Sequence, residues 1–188
     1  MDVLREAVEI VDRIKADYVV IGGVPLAAYL DRRATKDVDL LVRPEQAEAV
    51  LEEFGRAGFE TDKMYPEWLY KATKNDQLVD IIFKTRPNIR LDAEMVEHSS
   101  VGEVDGVSIP LASLEDILVM QVAAHGTESP QYWFNTLELI QRHTPDWEYL
   151  EKRAHAAPAR VLSLLIYGIS NGLAVRRETV NALFELLG

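Results

Sequence analysis

Apolar positions at the beginning of the chain follow first a helical and then a strand pattern. Those within residues 3–15 recur at helical spacing, and the β-branched run 18–21 follows them. The pattern therefore predicts a helix and then a strand. Gly22-Gly23 interrupts the strand, and the apolar segment 24–30 predicts a helix with Pro25 in its first turn. Residues 18–30 thus predict a strand, a tight turn and a helix.

A second strand is predicted at residues 38–42, where the chain enters through Asp37. Pro44 ends this strand, because proline restricts the residue before it and cannot donate to a sheet. An amphipathic helix follows and ends near Gly58.

Two hairpins are predicted further along the chain. Residues 68–73 and 78–83 flank the polar segment 74–77, which has the composition of a turn, and Asp80 falls in the second arm. A smaller hairpin is predicted at Asp105-Gly106, because this dipeptide tolerates the positive φ of a tight turn.

The last third of the chain predicts helices instead of strands. Helix-start signals occur near residues 113, 129, 146 and 158, and each precedes an apolar-periodic stretch. The predicted fold class is therefore α/β (α+β) with a helical C-terminal part and a soft boundary near Pro110.

Composition narrows the classes of function. The chain of 188 residues has no cysteine, which excludes a disulfide framework, a thiolate metal site and a cysteine nucleophile. No apolar run approaches the roughly 20 residues that span a bilayer, and the charged N-terminal segment lacks the pattern of a signal peptide, so we expect a cytoplasmic protein without a membrane partner. The formal net charge of -11 disfavours sequence-independent binding to a polyanion.

The candidate chemistry lies on carboxylates of the predicted strands. Asp37 and Asp39 are two residues apart, so their side chains share one face while Val38 and Leu40 face the core. Two carboxylates in one small volume repel each other, and a divalent cation removes that penalty. Oxygen-only ligands favour Mg²⁺ or Mn²⁺, and Asp80 on a neighbouring strand would supply a third carboxylate.

A candidate phosphate site lies just upstream of these carboxylates. Gly22 and Gly23 stand between a strand and a helix, where backbone N–H groups and the positive helix end favour an anion. Arg33 and Lys36 could contact the same phosphates. They could equally offset neighbouring acids in a loop.

These motifs resemble those of the DNA polymerase β-like nucleotidyltransferases, in the compact prokaryotic branch related to AbiE-type toxins. The matching segments follow the family's order, and weaker matches extend the resemblance through most of the chain up to residue 155. The specific matches are Val-Ile-Gly-Gly at 20–23, Arg-Ala-Thr-Lys-Asp-Val-Asp-Leu-Leu-Val at 33–42 and Leu-Val-Asp-Ile-Ile at 78–82.

The resemblance implies a mixed β-sheet flanked by helices, with a nucleotidyltransferase core over residues 1–110 and a helical extension packed on it over residues 111–188. It also implies transfer of a nucleoside monophosphate from a nucleoside triphosphate (NTP) such as ATP to an acceptor hydroxyl, with release of pyrophosphate. By that analogy Asp37, Asp39 and Asp80 are catalytic metal ligands, and Gly22 and Gly23 cradle the outer phosphates. The acceptor could be RNA, a protein or a small molecule, and the implied protein partner is an antitoxin. Apart from the resemblance, apolar residues near the C-terminus could pack internally or contact a second copy of the chain, namely Val161, Leu162, Leu164, Leu165, Leu183, Leu186 and Leu187.

The chain departs from the resemblance in its helical part. Relatives of the toxin type often carry a lysine on the helix after the core and a Lys-Asp pair beyond it, where this chain has neutral residues at 121–124 and 131–135. This departure leaves open a catalytically silent nucleotide-binding or toxin–antitoxin interaction module.

Other interpretations of the same residues also stay open at this stage. Gly22-Gly23 could be an ordinary turn, and Asp80 could be an acid at a strand edge paired with Lys71 or Lys84. An Asp-x-Asp pair also occurs in Mn²⁺-dependent glycosyltransferases, although the glycine pair before a helix makes that class a weaker fit.

Overall fold

The computed structural model describes residues 3–32, 37–127 and 129–188. The chain divides into two compact units. A sheet unit contains residues 1–85 and 90–113, and a helical unit contains residues 86–89 and 114–188.

Among the described residues, the sheet unit is built on a seven-stranded mixed sheet with the order β3-β4-β5-β2-β1-β7-β6. Strands β2 and β5 are parallel, as are β1 and β7, and the other neighbouring pairs are antiparallel. The strands are β1 (Tyr18–Ile21), β2 (Val38–Val42), β3 (Glu60–Tyr65), β4 (Leu69–Lys74), β5 (Gln77–Ile82), β6 (Ser100–Val104) and β7 (Val107–Leu111). The helices of this unit are α1 (Val3–Arg13), α2 (Gly23–Leu30), α3 (Ala47–Arg56) and α4 (Ala93–Glu97), and a 3₁₀ turn, Pro44–Gln46, precedes α3.

One face of the sheet forms an apolar core with α1 and α3. Alternate strand residues such as Val20, Leu40 and Ile81 are buried there against Val8 of α1 and Phe54 of α3. Side chains alternate between the two faces of a strand, so the residues between them face the other side. The predicted inward orientation of Val38 and Leu40 is confirmed, since both lie in this core.

The predicted mixed sheet flanked by helices is confirmed, and so are both predicted hairpins. Asn75 and Asp76 have φ of 52° and 58°, and Asp105 and Gly106 have φ of 50° and 73°. Positive φ at both central residues is typical of the two-residue turns that match strand twist. Each hairpin therefore pairs its arms with no residue left over, which fixes the register of β4 on β5.

The helical unit contains α5 (Leu114–Ala124), α6 (Gln131–Arg142), α7 (Trp147–Ala154), α8 (Pro158–Ser170) and α9 (Arg177–Glu185). A buried polar cluster joins α5 to α7, where Arg153 Nε lies 2.6 Å from Asp116 Oδ1 and the Tyr149 hydroxyl donates to Asp116 Oδ2 at 2.9 Å. Within the described ranges, no helix is long and apolar enough to cross a membrane.

Candidate active site

The turn between β1 and α2 closes directly against Asp39. Gly22 has a φ of 73°, and a Cβ added to it would lie 2.0 Å from Asp39 Oδ2. The backbone N–H of Gly23 donates a hydrogen bond to the Asp39 carboxylate. Gly22 is therefore required for two reasons, its left-handed conformation and the carboxylate that occupies the space of a side chain. In this structure the Gly23 amide donates to Asp39 and not to a phosphate. Phosphate binding by the turn therefore stays a prediction.

Asp39, Asp80 and Lys71 form a row across three neighbouring strands. Asp39 of β2 is in register with Asp80 of β5, and Asp80 is in register with Lys71 of β4. Neighbouring strands lie roughly 4.8 Å apart, and residues in register point to the same face, so the three side chains line one surface. This surface is opposite the core face that α1 and α3 cover.

Asp39 is the most strongly perturbed carboxylate of the row. Burial, followed by the negative charge of Asp80, raises its pKa to about 6 from an ordinary 3.8, and Asp37 adds to the rise. The Gly23 hydrogen bond and the charge of Lys71 act in the opposite direction. The site therefore holds a carboxylate whose ionised form is costly, which is typical of functional sites.

Asp80 is held between an acidic and a basic neighbour. Its pKa is also raised, chiefly by burial and in part by Asp37, while Lys71 lowers it. Lys71 Nζ lies 3.3 Å from Asp80 Oδ1. That buried oxygen has no well-aligned hydrogen bond within the described part of the chain, so the contact is an ion pair without good hydrogen-bond geometry. The predicted alternative of a pair between Asp80 and Lys71 is thus present in the structure.

Asp37 is not part of this in-register row. It is exposed and immediately precedes β2, although its charge reaches both Asp39 and Asp80. Among the described residues, no group of three or more His, Asp or Glu side chains is gathered as a metal site. The structure therefore brings two of the three predicted carboxylates together in register and places the third at the strand entrance.

The residues fit a divalent cation by their chemistry. Both in-register groups are carboxylates, both have raised pKa values, and Asp80 Oδ1 is a buried acceptor without a well-aligned donor. A hard cation with oxygen ligands would satisfy each of these features. Asp39 and Asp80, with Asp37 beside them, are the residues that could hold it.

The structure does not test the two basic residues predicted to contact phosphate. Arg33 and Lys36 lie outside the described residues. Arg43, another cation of this part of the sequence, follows the far end of β2 and is engaged elsewhere, since its Nε lies 2.6 Å from Asp17 Oδ2.

From the sequence alone, Lys71 is expected only as an alternative partner of Asp80. Its position could have been derived from the hairpin, because a two-residue turn at 75–76 pairs Lys74 with Gln77 and therefore Lys71 with Asp80. The signal was in the turn chemistry and not in any motif around Lys71.

The sequence of residues 3–171 matches a family described as uncharacterised nucleotidyltransferase. The chain belongs to this family. The expectation of a nucleotidyltransferase is thereby confirmed, whereas membership of the AbiE-type branch stays a prediction. No curated protein matches the chain in sequence.

Solved structures of similar fold include two of the antibiotic-resistance factor ANT(2'')-Ia. Its solution structure has a TM-score of 0.58 at 17% identity, and the match covers 90% of the chain described here and 100% of the ANT(2'')-Ia chain. Its complex with adenylyl-2''-tobramycin has a TM-score of 0.57 at 17% identity, with coverage of 85% and 97%. The lincosamide adenylyltransferase LnuA bound to lincomycin has a TM-score of 0.53 at 16% identity, with coverage of 72% and 93%. Because the sequence identities are low, these comparisons establish the fold of the present protein and nothing further.

Proposed function

We propose that the protein transfers a nucleoside monophosphate from an NTP to an acceptor hydroxyl, with Mg²⁺ or Mn²⁺ bound at Asp37, Asp39 and Asp80. The observation that carries this proposal is the in-register pair of half-buried carboxylates Asp39 and Asp80 beside the Gly22 turn. In the reaction the acceptor oxygen forms a bond to the α-phosphorus, the bond between that phosphorus and the bridging oxygen breaks, and pyrophosphate leaves.

Each residue of the site has a distinct part in this proposal. A bound divalent cation would offset the charge of the triphosphate and of the carboxylates that hold it. Gly22 admits Asp39 against the start of α2, which brings the carboxylate and the helix N-terminus to one place. Asp80 has a raised pKa and a poorly satisfied oxygen, so it is suited to accept the proton of the attacking hydroxyl.

The acceptor that fits best is a small molecule carrying hydroxyl groups and positive charge. Two of the similar structures contain adenylyl-2''-tobramycin and lincomycin, which are small hydroxylated molecules. The net charge of -11 favours cationic ligands and disfavours a long nucleic acid. RNA and protein acceptors are therefore secondary choices.

Nucleotide binding is the first test. ATP, GTP, CTP and UTP are titrated with Mg²⁺ into the wild type, into Asp39→Asn and into Glu103→Gln, a control variant with an exposed side chain on β6. We expect metal-dependent binding by the wild type and by the control, and its loss in Asp39→Asn. No binding of any NTP by the wild type would contradict the proposal.

Turnover is tested with NTPs labelled at the α-phosphate and with tobramycin, lincomycin and tRNA as acceptors. Transfer of label together with release of pyrophosphate supports the proposed reaction, and the labelled acceptor identifies its class. Asp80→Asn should abolish transfer, because it removes both a metal ligand and the proton acceptor.

A second candidate function is a nucleotide-binding module without turnover. Two contacts favour it, since Lys71 is paired with Asp80 and the Gly23 amide is bonded to Asp39. Both contacts occupy groups that a catalytic site would use. Metal-dependent NTP binding without label transfer to any acceptor would support this module over the enzyme.

A further inference from the structure

Lys71 places a positive charge beside Asp80, one of the proposed metal ligands. Its ammonium lies 3.3 Å from Asp80 Oδ1, and its charge also reaches Asp39, the neighbouring carboxylate of the row. The Lys71 side chain is 26% exposed and that of Asp80 is 19% exposed, so water screens the pair only in part. A divalent cation bound at this carboxylate would be repelled by the ammonium, because both are positively charged.

The sheet keeps Lys71 at this position. Lys71 pairs in register with Asp80 in the middle of the β4–β5 hairpin, three residue pairs from the tight turn. The pairing is set by the strand register and not by a loop, so the Cα atoms of the two residues stay opposite each other. The side chain has four rotatable methylene groups, which allow its head to move while its strand stays fixed.

We propose that Lys71 is a positioning residue that competes with the divalent cation for Asp80 and must withdraw from it before the site is loaded. The inference rests on the proposed function, since it concerns the metal of that site. In the metal-free protein the ammonium offsets the negative charge of Asp80. Part of the free energy of metal binding is then used to displace the ammonium. Lys71 thereby lowers the affinity for the metal alone.

The neighbouring Lys74 offers a matched control on the same strand. It lies three residues along β4, on the other face, where Nζ contacts Glu6 Oε1 at 2.6 Å and the Ala57 carbonyl at 2.9 Å. Lys74→Met removes the same charge from the same strand without touching the row of carboxylates. Any effect of Lys71→Met beyond that of Lys74→Met therefore comes from the site.

The experiment measures binding of Mn²⁺ alone, without nucleotide, by electron paramagnetic resonance of the free ion. We expect Lys71→Met to bind Mn²⁺ roughly tenfold more tightly than the wild type, because a competing charge in contact with the ligand is gone. Lys71→Arg, which keeps the charge, and Lys74→Met should stay within about twofold of the wild type. In an Asp80→Asn background the effect of Lys71→Met should vanish.

The outcomes separate this inference from the function on which it rests. Equal or weaker Mn²⁺ binding by Lys71→Met, with binding by the wild type intact, overturns the role of Lys71 alone. A persistent gain in the Asp80→Asn background overturns it as well, because the effect would not pass through Asp80. Absence of Mn²⁺ binding in both the wild type and Lys71→Met contradicts the proposed metal site itself.

Discussion

Replacing Asp39 by asparagine should stabilise the metal-free protein at neutral and alkaline pH. Burial and two neighbouring acids raise the pKa of Asp39 from 3.8 to about 6 in the folded chain. Each tenfold change in proton affinity corresponds to about 1.4 kcal/mol, so the ionised side chain costs on the order of 3 kcal/mol above pH 7. Asparagine keeps an oxygen for the Gly23 amide but carries no charge.

The pH dependence of this gain has a definite sign. A raised carboxyl pKa means that the folded state binds the proton more tightly than the unfolded state does. The contribution of Asp39 is therefore most favourable below its unfolded pKa and is lost as the pH rises through about 6. The advantage of Asp39→Asn should be full near pH 8 and nearly gone near pH 4.

Urea unfolding in EDTA measures this difference. Trp68 lies in the sheet unit, whereas Trp133 and Trp147 lie in the helical unit. A Trp133→Phe/Trp147→Phe background therefore makes fluorescence report on the sheet unit alone. Glu103→Gln is the control for a change from carboxylate to amide at an exposed position.

Two results would refute the reasoning. The first is an Asp39→Asn variant that is no more stable than the wild type at pH 8. The second is a gain that stays constant between pH 8 and pH 4, since that gain would not arise from ionisation of Asp39.

Three further predictions concern the turn, the metal and the helical unit. Gly22→Ala should destabilise the sheet unit by more than about 2 kcal/mol, because it adds a clash with Asp39 to the strain of a positive φ. Gly58→Ala is the control that should show the strain alone, since Gly58 has a φ of 83° and no atom lies within 4 Å of the new Cβ. Urea unfolding compares the two variants, and equal losses of stability would contradict the contact between Gly22 and Asp39. Mg²⁺ should raise the melting temperature of the wild type but not that of Asp39→Asn, and an equal rise in both would place the ion elsewhere. Arg153→Met should cost the helical unit roughly 3 kcal/mol, because it removes the ion pair that Arg153 makes with the buried carboxylate of Asp116. Calorimetry showing a loss of less than about 1 kcal/mol would contradict this.

The elements that were predicted from the sequence carry strong periodicity or turn signals. The strands β1 and β2 are short apolar runs, and both hairpins turn at residues that accept positive φ. Two elements of the sheet unit had no such signal. All six residues of β3 are exposed, so this edge strand shows no alternation, and α4 spans five residues, too few for a helical period.

The candidate site was predicted in its residues but not in its contacts. The order of motifs identified Asp39 and Asp80, and the parallel pairing of β2 with β5 brings them into register. The hydrogen bond from Gly23 to Asp39 depends on the close approach of the β1–α2 turn to β2. Such proximity between segments far apart in sequence is set by tertiary packing, which local patterns do not encode.

The contacts of the site favour binding of the metal and the nucleotide in two linked steps. In the metal-free chain the ionised carboxylates are unfavourable, and the fold offsets this partly through Lys71 and the Gly23 amide. A cation that neutralises Asp39 and Asp80 makes both contacts dispensable, so the amide at the start of α2 and the ammonium of Lys71 become free for an anionic triphosphate. Metal and nucleotide should therefore bind cooperatively, with each raising the affinity for the other by the same factor.

Titration of ATP at several Mg²⁺ concentrations into the wild type and into Lys71→Met measures that factor, after correction for the affinity of Mg²⁺ for ATP itself. We expect a smaller factor in the variant, and an unchanged factor would show that Lys71 does not link the two ligands.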